Sequence, residues 1–494
     1  MTELICAGWV LDGRGRQFKE YGLLVEEGKI LQMGPDRELL RRYPRVKVTK
    51  STDWVLAPGY LDAHDHGRAL SPFWFGVRDC PLELWIPRLS AVAVPPYEAA
   101  LYDGIQLAKS GVTTVVHCHN PLDIKEMERE LLDVARGYLD AGIRVVLCPP
   151  YTDQNALVYE DREVFLESLP PDQREEFQSI LLDKPMELGE YFDLIQGLRE
   201  KLNEEIETGR VEIQLHPVGG QWCSDEALTQ IRDYGIKHRM RVHMHLLETR
   251  YQRIYGYKRW RKSTVAHLEE IGVLGPWLTL AHGIWMEESD WDLLRKWKVK
   301  VVTNPSSNLR LSSGVLPLQK MRERGVACGI GLDGCTLDDD QDYGRELRLA
   351  ACNPGVLGVT AQITAREVME MAYRFGAEAV GGNLSGGSLK AGERADFICF
   401  SQRKLEFPYA DSSLTLEEKI LKRGGRRTIE AVYCGGKRII HRGESTSAVE
   451  RSVGEAIAQW IQERSSSAGI SEGLTGALRD FYRRWEESER GIVQ

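Results

Sequence analysis

His64 and His66 stand one residue apart, directly after an apolar run that predicts a β-strand. At the two-residue period of a strand, both imidazoles lie on one face. From that face they can bind one metal ion, and imidazole is a common ligand of zinc and other borderline metals. A pair of hydrogen-bonded structural histidines is the alternative, because a His-x-His motif is weak evidence by itself. The metal interpretation therefore depends on the rest of the chain.

A second strand candidate, residues 241–247, also carries alternating histidines. His243 and His245 point to one side, whereas the apolar residues between them point toward a helical layer. We expect His245 to be a further metal ligand and His243 to be a buried, hydrogen-bonded core histidine. Glu248 lies just beyond the strand end, where its carboxyl group can reach a substrate bound over the metal.

Two more polar residues follow predicted strands farther along the chain. His282 precedes a glycine, and Asp333 stands between glycines in Gly331-Leu-Asp-Gly. A carboxylate at such a position can bind the metal and also take a proton from metal-bound water. A structural histidine and a turn-capping aspartate are the alternatives. Because these residues all fall on successive strand ends, the pattern favours a single site.

Short apolar strands alternate with longer helical stretches through the middle of the chain. With the strand before His64, the strand candidates are residues 112–119, 143–148, 211–216, 241–247, 277–282, 300–304 and 326–332. Eight strand–helix units predict an α/β fold of the (β/α)8 TIM-like barrel type, with chemistry at the carboxyl ends of the strands. An open doubly wound sheet is the competing fold, and the lack of a Gly-rich phosphate loop after the first strand disfavours it.

The two ends of the chain have a different pattern, with short apolar runs between Gly-rich and charged turns. We expect residues 1–57 and 386–447 to join as a small β-sandwich beside the barrel, which spans residues 58–385. Residues 448–494 are rich in helix-forming residues of mixed charge. We predict that they form a helical tail that is solvated or contacts another subunit. A charged helical insertion is predicted at residues 160–203.

The composition of the 494-residue chain restricts its class. Apolar residues make up 42% and charged residues 28%, as in ordinary soluble enzymes. The net charge of −9 argues against nucleic acid as a partner, because phosphate binding relies on clustered Lys and Arg. No apolar run is long enough to span a membrane, and no signal peptide is evident at the start. The ten cysteines form no C-x-x-C pair, so we expect a cytoplasmic location.

Six segments carry longer motifs: Pro58-Gly-Tyr-Leu-Asp-Ala-His-Asp-His, His245-Leu-Leu-Glu-Thr, Leu280-Ala-His, Asn304-Pro-Ser-Ser-Asn-Leu-Arg-Leu-Ser-Ser-Gly, Gly331-Leu-Asp-Gly and Gly387-Ser-Leu-Lys-Ala-Gly-Glu-Arg-Ala-Asp-Phe. Together they resemble the amidohydrolase superfamily over nearly the whole chain. Within it they resemble the mononuclear aminohydrolase branch, which includes triazine hydrolases and guanine, 8-oxoguanine and thiomethyladenosine-type deaminases. The motifs do not specify the substrate.

This resemblance implies a role for each matching residue. It makes His64, His66, His245 and Asp333 the ligands of one divalent metal per subunit, with zinc as the default and iron or manganese as alternatives. Glu248 would be the proton shuttle, and His282 would hold the attacking hydroxide. The two-metal branch with a carbamylated lysine is disfavoured, since no Lys ends the fourth strand. We also expect a homodimer or higher homo-oligomer.

Aromatic and polar residues around this set predict the substrate pocket. Trp85 and Trp222 could stack on a flat ring, while Gln221, His117 and His119 could hydrogen-bond its edges. His117 and His119 are expected to point inward, and a second metal or a supporting role for them is left open. The aromatic, charged loop of residues 68–85 should help to define this pocket.

The leading functional hypothesis is a metal-dependent hydrolase that removes an amino group from a small nitrogen heterocycle. The first alternative is the same scaffold displacing a halide, an alkylamine or a ring amide nitrogen. The second alternative is a catalytically silent assembly protein. Such relatives typically lose ligands, whereas this chain retains the whole expected set, so we disfavour that alternative.

Overall fold

Eight short parallel strands form a barrel at the centre of the molecule. The computed structural model describes residues 2–68, 70–91, 93–155, 157–180, 186–384, 386–463 and 470–488. Barrel strands 1 to 8 are Tyr60–Asp65, Val112–Cys118, Arg144–Cys148, Val211–Ile213, Val242–Leu246, Leu278–His282, Lys300–Thr303 and Cys328–Ile330. The predicted (β/α)8 fold is thereby confirmed, and each predicted strand overlaps one of these eight.

Backbone hydrogen bonds close the barrel between strands 4 and 5 and between strands 8 and 1. Strands 1 to 4 form one parallel sheet and strands 5 to 8 another. A parallel bridge between Leu215 and Val242 joins strand 4 to strand 5. The N–H groups of Leu332 and Asp333 both donate to the carbonyl oxygen of His64, at 3.1 and 2.9 Å, which joins strand 8 to strand 1. This second joint places Asp333 beside the histidines of strand 1.

Strand 1 is shorter than the apolar run suggested. Residues up to Pro58 belong to a strand of the terminal sheet, and the barrel strand starts after Gly59. A Cβ atom at Gly59 would lie 2.4 Å from Oγ1 of Thr113, so this close approach requires glycine. His66 consequently lies one residue beyond the strand, where the chain leaves the barrel.

The two ends of the chain join in one eight-stranded sheet. Its strands are Thr2–Leu11, Gln17–Glu26, Lys29–Pro35, Lys47–Pro58, Phe397–Ser401, Ile429–Cys434, Lys437–His441 and Glu444–Ser445. The strand that ends at Pro58 pairs with Phe397–Ser401 and connects the two halves. Bonds of Ile30 with Glu393 and of Ala395 with Gly28 curl the sheet around a shared apolar core. The predicted association of the terminal segments is confirmed.

Helices surround the barrel and extend into an insertion and a tail. Their bounds are Asp36–Arg42, Leu82–Trp85, Pro96–Lys109, Met127–Ala141, Arg162–Glu167, Pro171–Ile180, Leu188–Lys201, Asn203–Glu207, Asp225–His238, Arg250–Trp260, Thr264–Glu270, Glu288–Trp297, Pro305–Arg310, Leu318–Glu323, Tyr343–Cys352, Ala365–Glu370, Gly376–Val380, Gln402–Glu406, Leu416–Arg423, Glu450–Glu463 and Glu472–Ser488. The last helix packs against the insertion through Phe481, Tyr482 and Phe165. Across the described ranges, no helix is long and apolar enough to cross a membrane.

Candidate metal centre

Four buried side chains from strands 1, 5 and 8 converge at the carboxyl end of the barrel. One ring nitrogen each from His64, His66 and His245 lies within 4.8 Å of the others. Oδ1 of Asp333 is 3.3 Å from Nε2 of His64 and 3.2 Å from Nε2 of His66. Nε2 of His245 lies 3.3 Å from Nε2 of His66. The structure thus brings together all four residues predicted as ligands.

The outer nitrogens of these rings fix which nitrogen faces the centre. Nδ1–H of His66 donates to the carbonyl oxygen of Cys118 at 2.8 Å, and Nδ1–H of His245 donates to that of Val218 at 2.8 Å. A carbonyl only accepts, so the proton sits on Nδ1 and the Nε2 lone pair faces inward. Nε2 of His64 is buried and hydrogen-bonded to none of the residues that the structure describes.

This donor set fits a single divalent metal. Tetrahedral coordination with bonds of about 2.0–2.1 Å places neighbouring donor atoms about 3.3 Å apart, which matches the observed spacing. Burial lowers the pKa of His66 to about 3, so its ring is neutral and able to bind a metal. Three imidazole nitrogens and one carboxylate suit zinc, iron or manganese.

His243 lies on the same strand as His245 and supports the candidate ligand His64. Its Nε2 lies 2.9 Å from Nδ1 of His64, and both rings are buried. This contact orients His64 in the way that supporting hydrogen bonds orient metal-binding histidines. His243 is therefore buried and hydrogen-bonded, as predicted.

Glu248 and His282 lie on the open side of the four donors. Nε2 of His282 is 3.6 Å from Oε2 of Glu248 and 4.0 Å from Oδ2 of Asp333. Burial raises the pKa of Glu248 to about 7, so part of this group carries a proton at neutral pH. Oγ of Ser313 donates to Oε1 of Glu248 at 3.2 Å. A buried acid at this position can exchange a proton with a bound ligand.

The backbone is bent at two of these positions. His282 has a φ of 73° and Asp333 a φ of 60°, both in the left-handed region that ordinary residues seldom adopt. Such conformations cost about 1–3 kcal/mol each and concentrate at functional sites. Nδ1 of His282 lies 3.1 Å from Oδ1 of Asn308 and 3.2 Å from the amide nitrogen of Asn304, which hold the ring in place.

A cavity of about 350 Å³ opens above the donors. Of the predicted substrate residues, Trp85, His119 and Trp222 line it, together with His66, His245, Glu248, His282 and Asp333. The other lining residues are Arg68, Leu82, Ile86, Leu89, Asn120, Pro121, Ile124, Met127, Pro150, Tyr151, Thr152, Gln154, Met186, Val218 and Leu311. A mostly apolar wall with a few polar groups is typical of a small-molecule site.

His117 and Gln221 are predicted substrate residues that do not line this main cavity. Gln221 is buried, and only its backbone carbonyl accepts a described hydrogen bond, from Asn155. His117 lies 3.2 Å from the Tyr138 hydroxyl and borders a smaller cavity of about 100 Å³. Nε2 of His119 lies 2.9 Å from Oε2 of Glu130, which is on the same helix as Tyr138. His119 thus borders the main cavity while it contacts Glu130, whereas His117 is held between Tyr138 and His119. A substrate or supporting role for either histidine stays a prediction.

Several residues that support the site were not assigned a role from the sequence. Asn304, Asn308 and Ser313 contact His282 or Glu248, and all three belong to the Asn304–Gly314 motif after strand 7. Their position at a strand end was the available signal. His216 was also missed; its ring centroid is 5.2 Å from that of His245, and its Nδ1 lies 2.7 Å from the carbonyl of His243.

Two relatives match the sequence of this chain over most of their length. A 5-methylthioadenosine/S-adenosylhomocysteine deaminase of Syntrophobacter fumaroxidans is 30% identical over 406 residues, which cover 80% of this chain and 83% of that protein. A 5′-deoxyadenosine deaminase of Methanosarcina mazei is 26% identical, covering 86% of this chain and 89% of that protein.

Solved structures of similar fold include an adenosine deaminase from Xanthomonas campestris with bound zinc. It has a TM-score of 0.76 and 22% identity, covering 93% of this chain and 98% of that chain. Guanine deaminase from C. acetobutylicum with bound guanine has a TM-score of 0.67 and 17% identity, covering 89% and 100%. The model of the amidohydrolase family matches residues 55–439. The chain belongs to the amidohydrolase family.

Proposed function

We propose that this protein is a metal-dependent hydrolase that releases ammonia from a small amino-substituted nitrogen heterocycle. The observation that carries the proposal is the protonatable Glu248, held 3.6 Å from His282 beside a convergent donor set of three imidazoles and one carboxylate. Membership of the amidohydrolase family and the deaminase names of the relatives support the same activity.

Zinc is the proposed metal, one ion for each subunit, held by His64, His66, His245 and Asp333. The proposed reaction has no redox step, and zinc is redox-inactive and binds tetrahedral sites rich in nitrogen. Zinc is also bound in the similar adenosine deaminase structure. Iron or manganese would suit the same ligands. We place the protein in the cytoplasm, since no described helix could span a membrane and the cysteines suggest no disulfide framework.

The chain's own groups divide the proton transfers between them. A divalent metal held by these four residues would supply an activated water, because it would lower the pKa of that water to about 7. Asp333 accepts the proton that the water loses, and Nε2 of His282 holds the attacking oxygen over the ring carbon. Glu248 donates its proton to the adjacent ring nitrogen, which neutralises the charge that develops there. As the C–N bond breaks, the proton on Asp333 passes to the amino group, which leaves as ammonia. The proton of the added hydroxyl group returns to Glu248 as the C=O bond forms.

Glu248 restricts the substrate class. A proton donor at this position needs a basic nitrogen beside the electrophilic carbon, as in the N=C–NH₂ unit of an aminated ring. Simple amides and esters have no such nitrogen. Trp85 and Trp222 line the cavity, where they can pack against a flat ring. Because the named relatives act on adenosine derivatives, a 6-aminopurine is the first ring to test.

Ammonia release from a panel of small molecules tests the proposal. We expect turnover of one or more aminated purines, pterins, pyrimidines or triazines by the zinc-loaded protein, and none of simple amides or esters. The free ammonia is measured by a coupled assay, with enzyme-free and metal-free reactions as controls. Turnover confined to amides or esters would contradict the proposed function.

A further inference from the structure

Arg68 is a lone positive residue in the substrate cavity. Of the described residues that line this cavity, it is the single lysine or arginine. Its side chain is half-buried, and it follows His66 by two residues. Because a guanidinium group stays protonated at all ordinary pH values, the cavity wall carries a fixed positive charge at this point.

The guanidinium group is held by hydrogen bonds to uncharged oxygens, while its charge acts at longer range on the carboxyl groups of Asp65, Asp103 and Glu248. Nη1 donates to the carbonyl oxygen of Asp333 at 2.9 Å, and Nη2 donates to Oδ1 of Asn120 at 3.2 Å. The ring of Trp85 lies below it, with its centroid 5.2 Å away. Within the described ranges of the chain, Arg68 forms no ion pair. The nearby Asp65 instead accepts a hydrogen bond from the N–H of Gly67 at 2.7 Å.

This arrangement leaves donors for a ligand. A guanidinium group has five N–H groups, and two of them make the bonds above. Trp85 is buried, and its Nε1–H donates to none of the described residues. Partly buried charges are normally paired, because loss of hydration is costly without a partner. The unused donors therefore point to an anion supplied by the ligand.

The position of Arg68 also limits where that anion can lie. Arg68, His66, Leu89, His119 and Asn120 border both the main cavity and the adjoining cavity of about 100 Å³. One water occupies about 30 Å³ in the liquid, so the smaller space admits a group of a few atoms. Arg68 contacts the backbone of Asp333, one of the four candidate metal ligands. An anion bound to Arg68 therefore lies close to the reacting ring.

We propose that Arg68 binds an anionic oxygen substituent on the ring of the substrate, so that the preferred substrate is an aminated nitrogen heterocycle bearing a carboxylate. The proposal rests on the deaminase function above and specifies its substrate class. Guanidinium binds carboxylate through paired, charge-assisted hydrogen bonds, which also fix the orientation of the ring.

Matched pairs of substrates test this role in the zinc-loaded enzyme. Each pair consists of an amino-heterocarboxylate and its carboxamide, for example 6-aminopurine-2-carboxylate and 4-aminopyrimidine-5-carboxylate with their amides. We expect the wild-type protein to prefer the carboxylate in kcat/KM by about 10- to 100-fold, chiefly through KM, which is the scale of hydrogen bonds to a charged group. Arg68→Gln should remove most of that preference, and Arg68→Lys should retain part of it.

A control and the contrary outcomes separate recognition from structure. Arg78→Gln changes an exposed arginine of the same loop and should leave the preference intact. If Arg68→Gln lowers kcat/KM equally for the acid and the amide, Arg68 acts on the backbone of Asp333 alone and the inference fails. Equal turnover of acid and amide by the wild type would also overturn it, while leaving the deaminase function intact. Ammonia release from no ring at all would reject both.

Discussion

Replacing Glu248 by glutamine is expected to lower kcat by about 100- to 10,000-fold while leaving the fold and the bound metal unchanged. Glutamine keeps the size of the side chain but cannot transfer a proton to the ring nitrogen. The buried position of Glu248 and its pKa of about 7 make it suited to that transfer in the native protein. The measurement is steady-state ammonia release, together with the metal content of each preparation.

The matched control for this prediction is Glu226→Gln. Glu226 is an exposed carboxylate on the helix Asp225–His238 and does not line the cavity, so its loss should not change kcat. An unchanged metal content in both variants would show that any loss of rate is chemical. Normal turnover by Glu248→Gln would show that another group delivers the proton.

Replacing His245 by alanine is expected to weaken zinc binding by more than about 100-fold. Loss of a hydrogen bond that merely supports a ligand costs about 10- to 100-fold in metal affinity, and loss of the ligand itself should cost more. Nε2 of His245 lies 3.3 Å from Nε2 of His66, so its removal takes one nitrogen out of the set of four donors. Competition with a chromogenic chelator measures the affinity, and activity at limiting zinc should fall in parallel.

His238→Ala controls for the loss of an imidazole as such. His238 stacks on Tyr234 at the outer layer, with ring centroids 4.2 Å apart. That variant should bind zinc like the wild type. If His245→Ala retains wild-type zinc affinity, the metal is bound elsewhere and the ligand assignment is wrong.

Sequence patterns predicted the barrel because its strands obey simple periodicity. In strand 5, Val242, Met244 and Leu246 pack into the apolar core while His243 and His245 meet other polar groups. Strand ends were less predictable, since side-chain pattern does not show where pairing stops. Residues 211–216 were predicted as one strand, yet the barrel strand ends at Ile213, and pairing resumes in the short strand His216–Pro217 beside Pro150–Tyr151.

The candidate ligands could be predicted because each one stands at a strand end, where barrel topology gathers side chains regardless of their distance in sequence. The hydrogen-bond partners of His117 and His119 could not be predicted, because Tyr138 and Glu130 reach them only through the packing of the following helix. The sequence also could not show that Arg68 forms no ion pair with a described residue, because several acidic residues lie near it in the chain and each was a possible partner. The segment boundaries, the roles of the site residues and self-association remain predictions.

Titration of metal-free protein with zinc, while ammonia release from a turned-over amino-heterocycle is recorded, tests the central claim most directly. If one ion at the four-donor site supports the reaction, activity should be absent without metal, rise linearly and stop rising at about one equivalent per subunit. Full activity in protein shown by elemental analysis to contain no metal would contradict the account, and so would a rise that continues to two equivalents.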